Sequence, residues 1–285
     1  MTNPEVIHDP SELARRVSEL KSQGKTIGLV PTMGALHYGH LSLAIAAKND
    51  CDVAIVSVFV NPTQFAPNED YDQYPRQLQA DIDLLSQVDT DIVFAPSPEA
   101  MYPRGFVSNV HVGGVTTRLE GSFRPTHFDG VATVVMKLFQ LSQANVAFFG
   151  QKDFQQVAVI RRMVADLNVP TEIIACPIVR EADGLALSSR NKYLSAEERK
   201  TALVLSRSLG YAKELIHKGE REAAVVKAAV EKMILDEGGT AIDYVSISDP
   251  DSLQEMTRIA GNVVVLLAVR VGKTRLIDNM VIEPA

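Results

Sequence analysis

Up to about residue 178, short continuous apolar runs alternate with longer amphipathic stretches. The runs at 26–30, 53–60, 91–94, 146–149 and 171–175 predict strands, and the stretches at 40–48, 77–87, 131–141 and 154–167 predict helices. A shorter helix is expected over 11–21, capped by Asp9 or Ser11 with Pro10 near its first turn. An unbroken run such as Val53-Ala-Ile-Val-Ser-Val-Phe-Val60 suits a strand covered on both faces. Strand–helix alternation implies right-handed crossovers and a doubly wound, Rossmann-like parallel sheet. In such α/β sheets the ligand lies beyond the carboxyl ends of the strands, where the strand order reverses.

The pattern changes near Ile178. A polar segment leads into helical stretches at 195–218 and 222–235, then into strands at 242–248, 262–271 and 274–282. Gly272-Lys273 between the last two is a hairpin signal. Helices followed by consecutive strands predict a smaller α+β domain. The expected domains are therefore 1–178 and 179–285, with Pro177 at the stop.

Composition narrows the function classes. With 46% hydrophobic and 22% charged residues over 285 positions, the chain is of ordinary globular type. A net charge of −7 argues against non-specific nucleic-acid binding, which needs clustered Lys and Arg. Cys51 and Cys176 stand far apart beside apolar residues and are expected to be buried free thiols in a reducing compartment. The first ten residues lack a basic-then-apolar pattern, and the apolar run 263–269 is too short for a bilayer. A cytoplasmic protein without membrane partners is expected.

The most informative segment joins the first of these strands to its helix: Pro31-Thr-Met-Gly-Ala-Leu-His-Tyr-Gly-His40. Gly34 and Gly39 let the backbone turn and approach a ligand closely. His37 and His40 fall where the helix opens, and a helix N-terminus favours phosphate. Imidazoles there can donate to a polyphosphate whose charge grows in the transition state. A His pair can also bind zinc, but the metalloprotease signature spaces its histidines i, i+4 around a Glu, unlike this one; a purely structural turn is the other alternative.

Three further polar segments follow predicted strands. In Asn61-Pro-Thr-Gln-Phe65 two amides on a rigid loop can read hydroxyls and a carboxylate, or simply form a capping turn. In Gly150-Gln-Lys-Asp153, Gly150 permits close approach, Lys152 is a point charge for phosphate, and Asp153 is either a ribose ligand or a helix cap. Ser188, Ser189, Arg190 and Lys192 concentrate hydroxyls and charge at the domain junction, either as a loop closing over a triphosphate or as a solvated linker. The 120–130 stretch reads as a long polar loop in which Arg124 and His127 are either candidates for a carboxylate or phosphate or, as isolated residues, ordinary loop structure.

The His-x-Gly-His string resembles the signature of the nucleotidylyltransferase superfamily. The longer Pro31–His40 string resembles the pantoate–β-alanine ligase family. So do Phe59-Val-Asn-Pro-Thr-Gln-Phe65, Arg124-Pro-Thr-His-Phe-Asp-Gly-Val131, Phe148-Phe-Gly-Gln-Lys-Asp-Phe-Gln-Gln156 and the stretch from Val179 to Leu194, in the family's order. The resemblance implies ATP-dependent joining of pantoate to β-alanine through pantoyl-adenylate, with ATP and Mg²⁺, a homodimer, and the smaller domain as a lid. Residue by residue it implies that Met33, Gly34, Ala35, Leu36, His37, Tyr38, Gly39 and His40 hold ATP. Gly150, Gln151, Lys152 and Asp153 would take its ribose and phosphates, Val179 and Leu187 its adenine, and Ser188, Ser189 and Arg190 its phosphates. His40, His37, Lys152 and Arg190 would be catalytic. Asn61, Gln64, Gln156 and Arg124 would bind substrate, with Gln64 also placed for β-alanine. The metal ligands are not implied.

Two departures stand out. Leu187 replaces the family's frequent Met at little cost in volume, and Gln151 replaces its frequent Glu, so no catalytic role falls to that side chain. The chain lacks a basic extension of the kind an aminoacyl-tRNA synthetase would use. The other readings are a different nucleotidylyltransferase, which would leave AMP on its substrate, and a non-catalytic ATP sensor.

Overall fold

Asp9, rather than Ser11, caps the first helix, its carboxylate accepting the N–H groups of Ser11 at 2.8 Å and Glu12 at 3.0 Å. The computed structural model describes residues 3–67, 69 and 71–284. Its elements run β1 (Glu5–Ile7), α1 (Pro10–Ser22), β2 (Ile27–Thr32), α2 (Tyr38–Asp50), β3 (Val53–Val58), α3 (Leu78–Ser86), β4 (Ile92–Phe94) and α4 (Pro98–Met101). There follow α5 (Glu120–Phe123), α6 (His127–Ser142), β5 (Val146–Gly150), α7 (Phe154–Asp166) and β6 (Glu172–Cys176). The last part comprises α8 (Ala196–Ala202), α9 (Val204–His217), α10 (Ala223–Asp236), β7 (Thr240–Ser248), β8 (Val263–Val271) and β9 (Thr274–Ile282).

Two compact units result. One ends at Gln151 and resumes over Val159–Pro177; the other takes Lys152–Ala158 and everything from Ile178. The first turns of α7 thus group with the second unit, whereas the sequence pattern keeps that whole helix in the first domain.

The first unit holds a six-stranded parallel sheet in the order β1-β4-β3-β2-β5-β6. From β2 the chain steps outward through β3 to β4, then returns to place β5 and β6 on the other side. The order therefore reverses between β2 and β5, where an open sheet leaves its crevice. Val30, Val56, Val93 and Phe148 are buried with Ala44 and Ala47 of α2 and Leu85 of α3. The alternate residues Ile27, Leu29, Ile55, Phe94 and Ala147 are equally buried, and α6 packs against β2. Both faces are covered, so the strands carry apolar residues at every position. Each Val, Ile, Leu or Phe side chain among them contributes about 1.5–3 kcal/mol on burial.

In the second unit α9 and α10 pack on an antiparallel sheet ordered β7-β8-β9. Alternate β8 residues Val265, Leu267 and Val269 join Leu209, Val230 and Ile234 in its core. Gly272-Lys273 closes the β8–β9 hairpin, with Val271 opposite Thr274.

Some expectations are corrected. The helix expected over 131–141 begins at His127, because Phe128 and Gly130 are buried in its first turn. The expected 120–130 loop is thereby mostly helical, with α5 filling its start. The single helix expected over 195–218 breaks at Leu203, whose N–H turns back three residues to the Lys200 carbonyl. Both cysteines are free, but only Cys51 is buried, and Cys176 is half-buried. Among the described residues no helix is long and apolar enough to cross a membrane.

Candidate active site

Beyond β2 the backbone is held in an unusual shape. Thr32 Oγ1 donates to the Ser57 carbonyl at 2.6 Å and accepts the Gly34 N–H at 3.2 Å. Gly34 has φ +80°, and a Cβ there would lie 2.9 Å from Asp81 Oδ2 and 3.0 Å from Val58 Cγ1. Only glycine fits both demands. Ala35 follows with φ +51°, a strained conformation that persists only where its surroundings enforce it. The enforcer is Asp81 on α3, fully buried, whose two carboxylate oxygens accept the N–H groups of Ala35 at 3.0 Å and Leu36 at 2.8 Å. Sequence reasoning misses Asp81. Its signal is a carboxylate on the apolar side of a helix, between Leu78 and Leu85.

The segment delivers two imidazoles to the start of α2. His37 is the N-cap: its Nδ1 accepts the Gly39 N–H at 3.2 Å, while His40 Nδ1 accepts the His37 N–H at 3.3 Å. The rings lie 4.1 Å apart. A main-chain N–H can only donate, so each Nδ1 is unprotonated, and in the neutral ring each Nε2 carries the proton. The capping box thereby turns two histidines into two oriented Nε2–H donors at the positive end of a helix. Tyr38 between them is 63% exposed.

After β3, Asn61 and Gln64 are both buried. Asn61 Nδ2 donates to Gln64 Oε1 and to the Gly130 carbonyl, each at 3.1 Å. Asn61 Oδ1 accepts from Thr63 and, at 2.7 Å, from the Tyr102 hydroxyl. Gln64 Nε2 donates to Met33 Sδ at 2.9 Å, bringing the loops after β2 and β3 together. Gly130 permits this approach: a Cβ would sit 2.4 Å from the Thr63 carbonyl oxygen and 2.6 Å from Gln64 N.

Arg124, expected to bind substrate, pairs with Glu69 in this structure, with Nε–Oε1 at 2.6 Å and Nη2–Oε2 at 2.7 Å. Its Nη2 also donates to the Gln64 carbonyl at 3.3 Å, and His127 Nδ1 lies 2.9 Å from the same oxygen. Burial raises the Glu69 pKa, but the Arg124 hydrogen bonds and charge outweigh it and hold the carboxyl below its usual range. Arg124 thus braces the backbone at Gln64.

The first unit therefore gathers Met33 to His40, Asn61, Gln64 and Arg124, with Gly150 at the end of β5 and Gln151 just after it. The second unit holds the remaining candidates. Lys152 and Asp153 lie in a short 3₁₀ turn and Gln156 in the first turn of α7, with Asn279 of β9 donating to the Lys152 carbonyl at 2.9 Å. Leu187 N–H donates to the Val179 carbonyl at 2.9 Å, closing a small hairpin over the two residues expected to flank adenine. Ser188 caps the 3₁₀ turn Ser189–Tyr193 by accepting the Arg190 N–H. The hairpin is tied down by Arg180 on buried Asp278, at 2.7 and 2.9 Å, and by Arg199 on Glu181 and Asp183. Sequence reasoning leaves Arg180 and Asp278 unassigned, 98 residues apart. Among the described residues no group of three or more His, Cys, Asp or Glu could hold a metal ion.

Residues 5–281 match the family described as pantoate-beta-alanine ligase. A pantothenate synthetase from Moorella thermoacetica is 56% identical over 279 residues, which are 98% of this chain and 99% of the relative. Pantothenate synthetase from Thermus thermophilus has a similar solved structure, with TM-score 0.91 and 44% identity over 97% of this chain and 98% of the other. Pantoate-beta-alanine ligase from Francisella tularensis, solved in complex with beta-gamma ATP and beta-alanine, gives TM-score 0.79 and 37% identity over 97% of both chains.

Proposed function

The chain belongs to the pantoate–β-alanine ligase family, and we propose how its own residues carry that family's reaction. Pantoate and β-alanine are condensed at the expense of ATP to give pantothenate, AMP and pyrophosphate, through pantoyl-adenylate.

In the first step a pantoate carboxylate oxygen attacks the α-phosphorus and the bond to pyrophosphate breaks. His37 and His40 donate through Nε2–H to the phosphate oxygens as their charge grows, His40 being the principal donor. Lys152 and Arg190 neutralise the departing pyrophosphate, and Ser188 and Ser189 hold it by their hydroxyls. Val179 and Leu187 flank adenine, Asp153 accepts from the ribose, and the backbone of Met33–His40 and Gly150–Gln151 closes on the nucleotide. Gln64 and Gln156 form the pantoate side, with Asn61 behind Gln64 and Arg124 bracing the Gln64 backbone.

In the second step the free amine of β-alanine attacks the acyl carbon, AMP leaves with the bridging oxygen, and the amine gives up a proton. No side chain acts as a nucleophile; the protein supplies alignment and charge. Water must be kept from the acyl-adenylate, a task that falls to the second unit acting as a lid. Mg²⁺ would be held largely by phosphate oxygens and water, as its octahedral demand favours. When bound it supplies charge neutralisation at the triphosphate. Homodimerisation and a cytoplasmic location belong to the same reading.

The observation that carries the site assignment is the pair of imidazoles whose Nδ1 atoms are fixed as acceptors at the start of α2. AMP release measured with ATP, Mg²⁺, pantoate and β-alanine, omitting each in turn, tests the reading. AMP formation that needs both acceptors supports it; none from folded protein contradicts it.

A further inference from the structure

The amides assigned to pantoate are not equivalent. We infer that Asn61 sets the direction of the Gln64 amide, with Tyr102 anchoring Asn61, so that Gln64 meets its ligand as an N–H donor and never as an acceptor. The inference rests on the proposed placement of pantoate at Gln64.

The hydrogen-bonding capacity of Asn61 decides the matter. Its two Nδ2 hydrogens go to the Gly130 carbonyl and to Gln64 Oε1. Its Oδ1 receives the Thr63 N–H at 3.3 Å, the Thr63 hydroxyl at 2.9 Å and the Tyr102 hydroxyl at 2.7 Å. An amide has two donors and an oxygen with two lone pairs, so Asn61, 1% exposed, has nothing left for a ligand.

Two of these partners are main-chain groups that cannot exchange roles. The Thr63 N–H only donates and the Gly130 carbonyl only accepts, so the Asn61 amide is fixed from both ends. The Gln64 atom facing Asn61 Nδ2 must then be Oε1, and Nε2 must point the other way. Of its two N–H groups, one meets Met33 Sδ, a weak acceptor, and the other remains to be offered. A ligand carboxylate or hydroxyl oxygen is welcome there. A substrate ammonium would meet an N–H, so β-alanine would approach Gln64 by its carboxylate. Burial pushes the Tyr102 phenol up, so its hydroxyl stays protonated and donating at neutral pH. Its ring is held separately, against Phe59 and Phe106.

The test is Tyr102→Phe, which removes the hydroxyl and keeps the ring. Losing one neutral hydrogen bond in the chain that aims Gln64 should raise the pantoate KM roughly three- to ten-fold. The KM for ATP and the Tm should stay near wild type. In a Gln64→Met background the same substitution should add nothing to the pantoate KM. An unchanged pantoate KM in Tyr102→Phe, or the same factor in both backgrounds, would overturn the inference. If Gln64→Met alone leaves the pantoate KM unchanged, the placement of pantoate fails and the inference falls with it. Should Tyr102→Phe not fold, Gln64→Glu tests the polarity directly. It should raise the pantoate KM more than Gln64→Met does, and near wild-type binding by Gln64→Glu would overturn the donor assignment.

Discussion

Asp81 and Leu36 stand 45 residues apart, yet the Asp81 carboxylate accepts the Leu36 N–H at 2.8 Å and holds the neighbouring Ala35 N–H with its second oxygen. A buried acid thereby fixes the backbone that leads into the histidine pair. In Asp81→Asn one oxygen becomes an NH₂ facing an N–H, which should cost about 2–3 kcal/mol of stability. The ATP KM should rise roughly ten-fold, as one to two kcal/mol of lost positioning would give. Thermal melts and ATP titrations at saturating pantoate check this. A lower Tm with unchanged ATP kinetics would make Asp81 structural only.

The two nitrogens of His40 can be separated by substitution. Asparagine can place an oxygen near the Nδ1 position and keep the acceptor for the His37 N–H, but it loses the Nε2–H. His40→Asn should therefore melt near wild type while kcat falls roughly 10²–10³-fold, the usual loss for one donor to a developing negative charge. Turnover close to wild type in the folded variant would remove His40 from the mechanism.

Lys152→Ala should likewise leave the fold intact, because the contact of Lys152 with Asn279 is made through its main-chain carbonyl. Its kcat for pyrophosphate release should fall severely, by roughly 10² or more. Pre-steady-state pyrophosphate release resolves the effect on the first step, and an unchanged burst would contradict the role.

Gly130→Ala tests the close approach of α6 to the amide loop. The new methyl would meet main-chain atoms at 2.4 and 2.6 Å, which cannot yield as a side chain can. Overpacking of this kind costs about 1–3 kcal/mol, and displacement of Thr63 and Gln64 should raise the pantoate KM more than the ATP KM. Equal effects on both would show that the loop shift is not local.

The Arg124–Glu69 pair predicts an acid dependence. Because the Glu69 pKa is depressed in the folded state, its contribution is fully present above the unfolded carboxylate value, about 4.3. It is lost as pH falls through the lower, folded value. Glu69→Gln should thus melt below wild type at pH 7, by the equivalent of about 1 kcal/mol, and the gap should close as pH falls below about 4.3 and through the depressed folded value. A gap that persists unchanged in acid would contradict the pairing.

Much of the sheet is legible because strands buried on both faces leave unbroken apolar runs, as at Val53–Val58. The three-residue edge strand Glu5–Ile7 leaves no such trace, with only Ile7 buried. The turn chemistry of Gly34 and the His37–His40 spacing are local and can be read directly. Asp81, Tyr102 and Glu69 act across 45, 41 and 55 residues, so nothing in their own neighbourhoods announces their partners. Arg124 shows the converse: its charge is visible in the sequence, but its pairing with Glu69, 55 residues away, is not.

The reaction's central step can be followed through its oxygen atoms. Pantoate labelled with ¹⁸O in its carboxylate, turned over with unlabelled ATP and β-alanine, should give AMP carrying one labelled oxygen and pantothenate keeping the other in its amide carbonyl. That distribution requires the carboxylate to have attacked the α-phosphorus. AMP formed without label would contradict pantoyl-adenylate and, with it, the roles of His37, His40 and Lys152 in forming it.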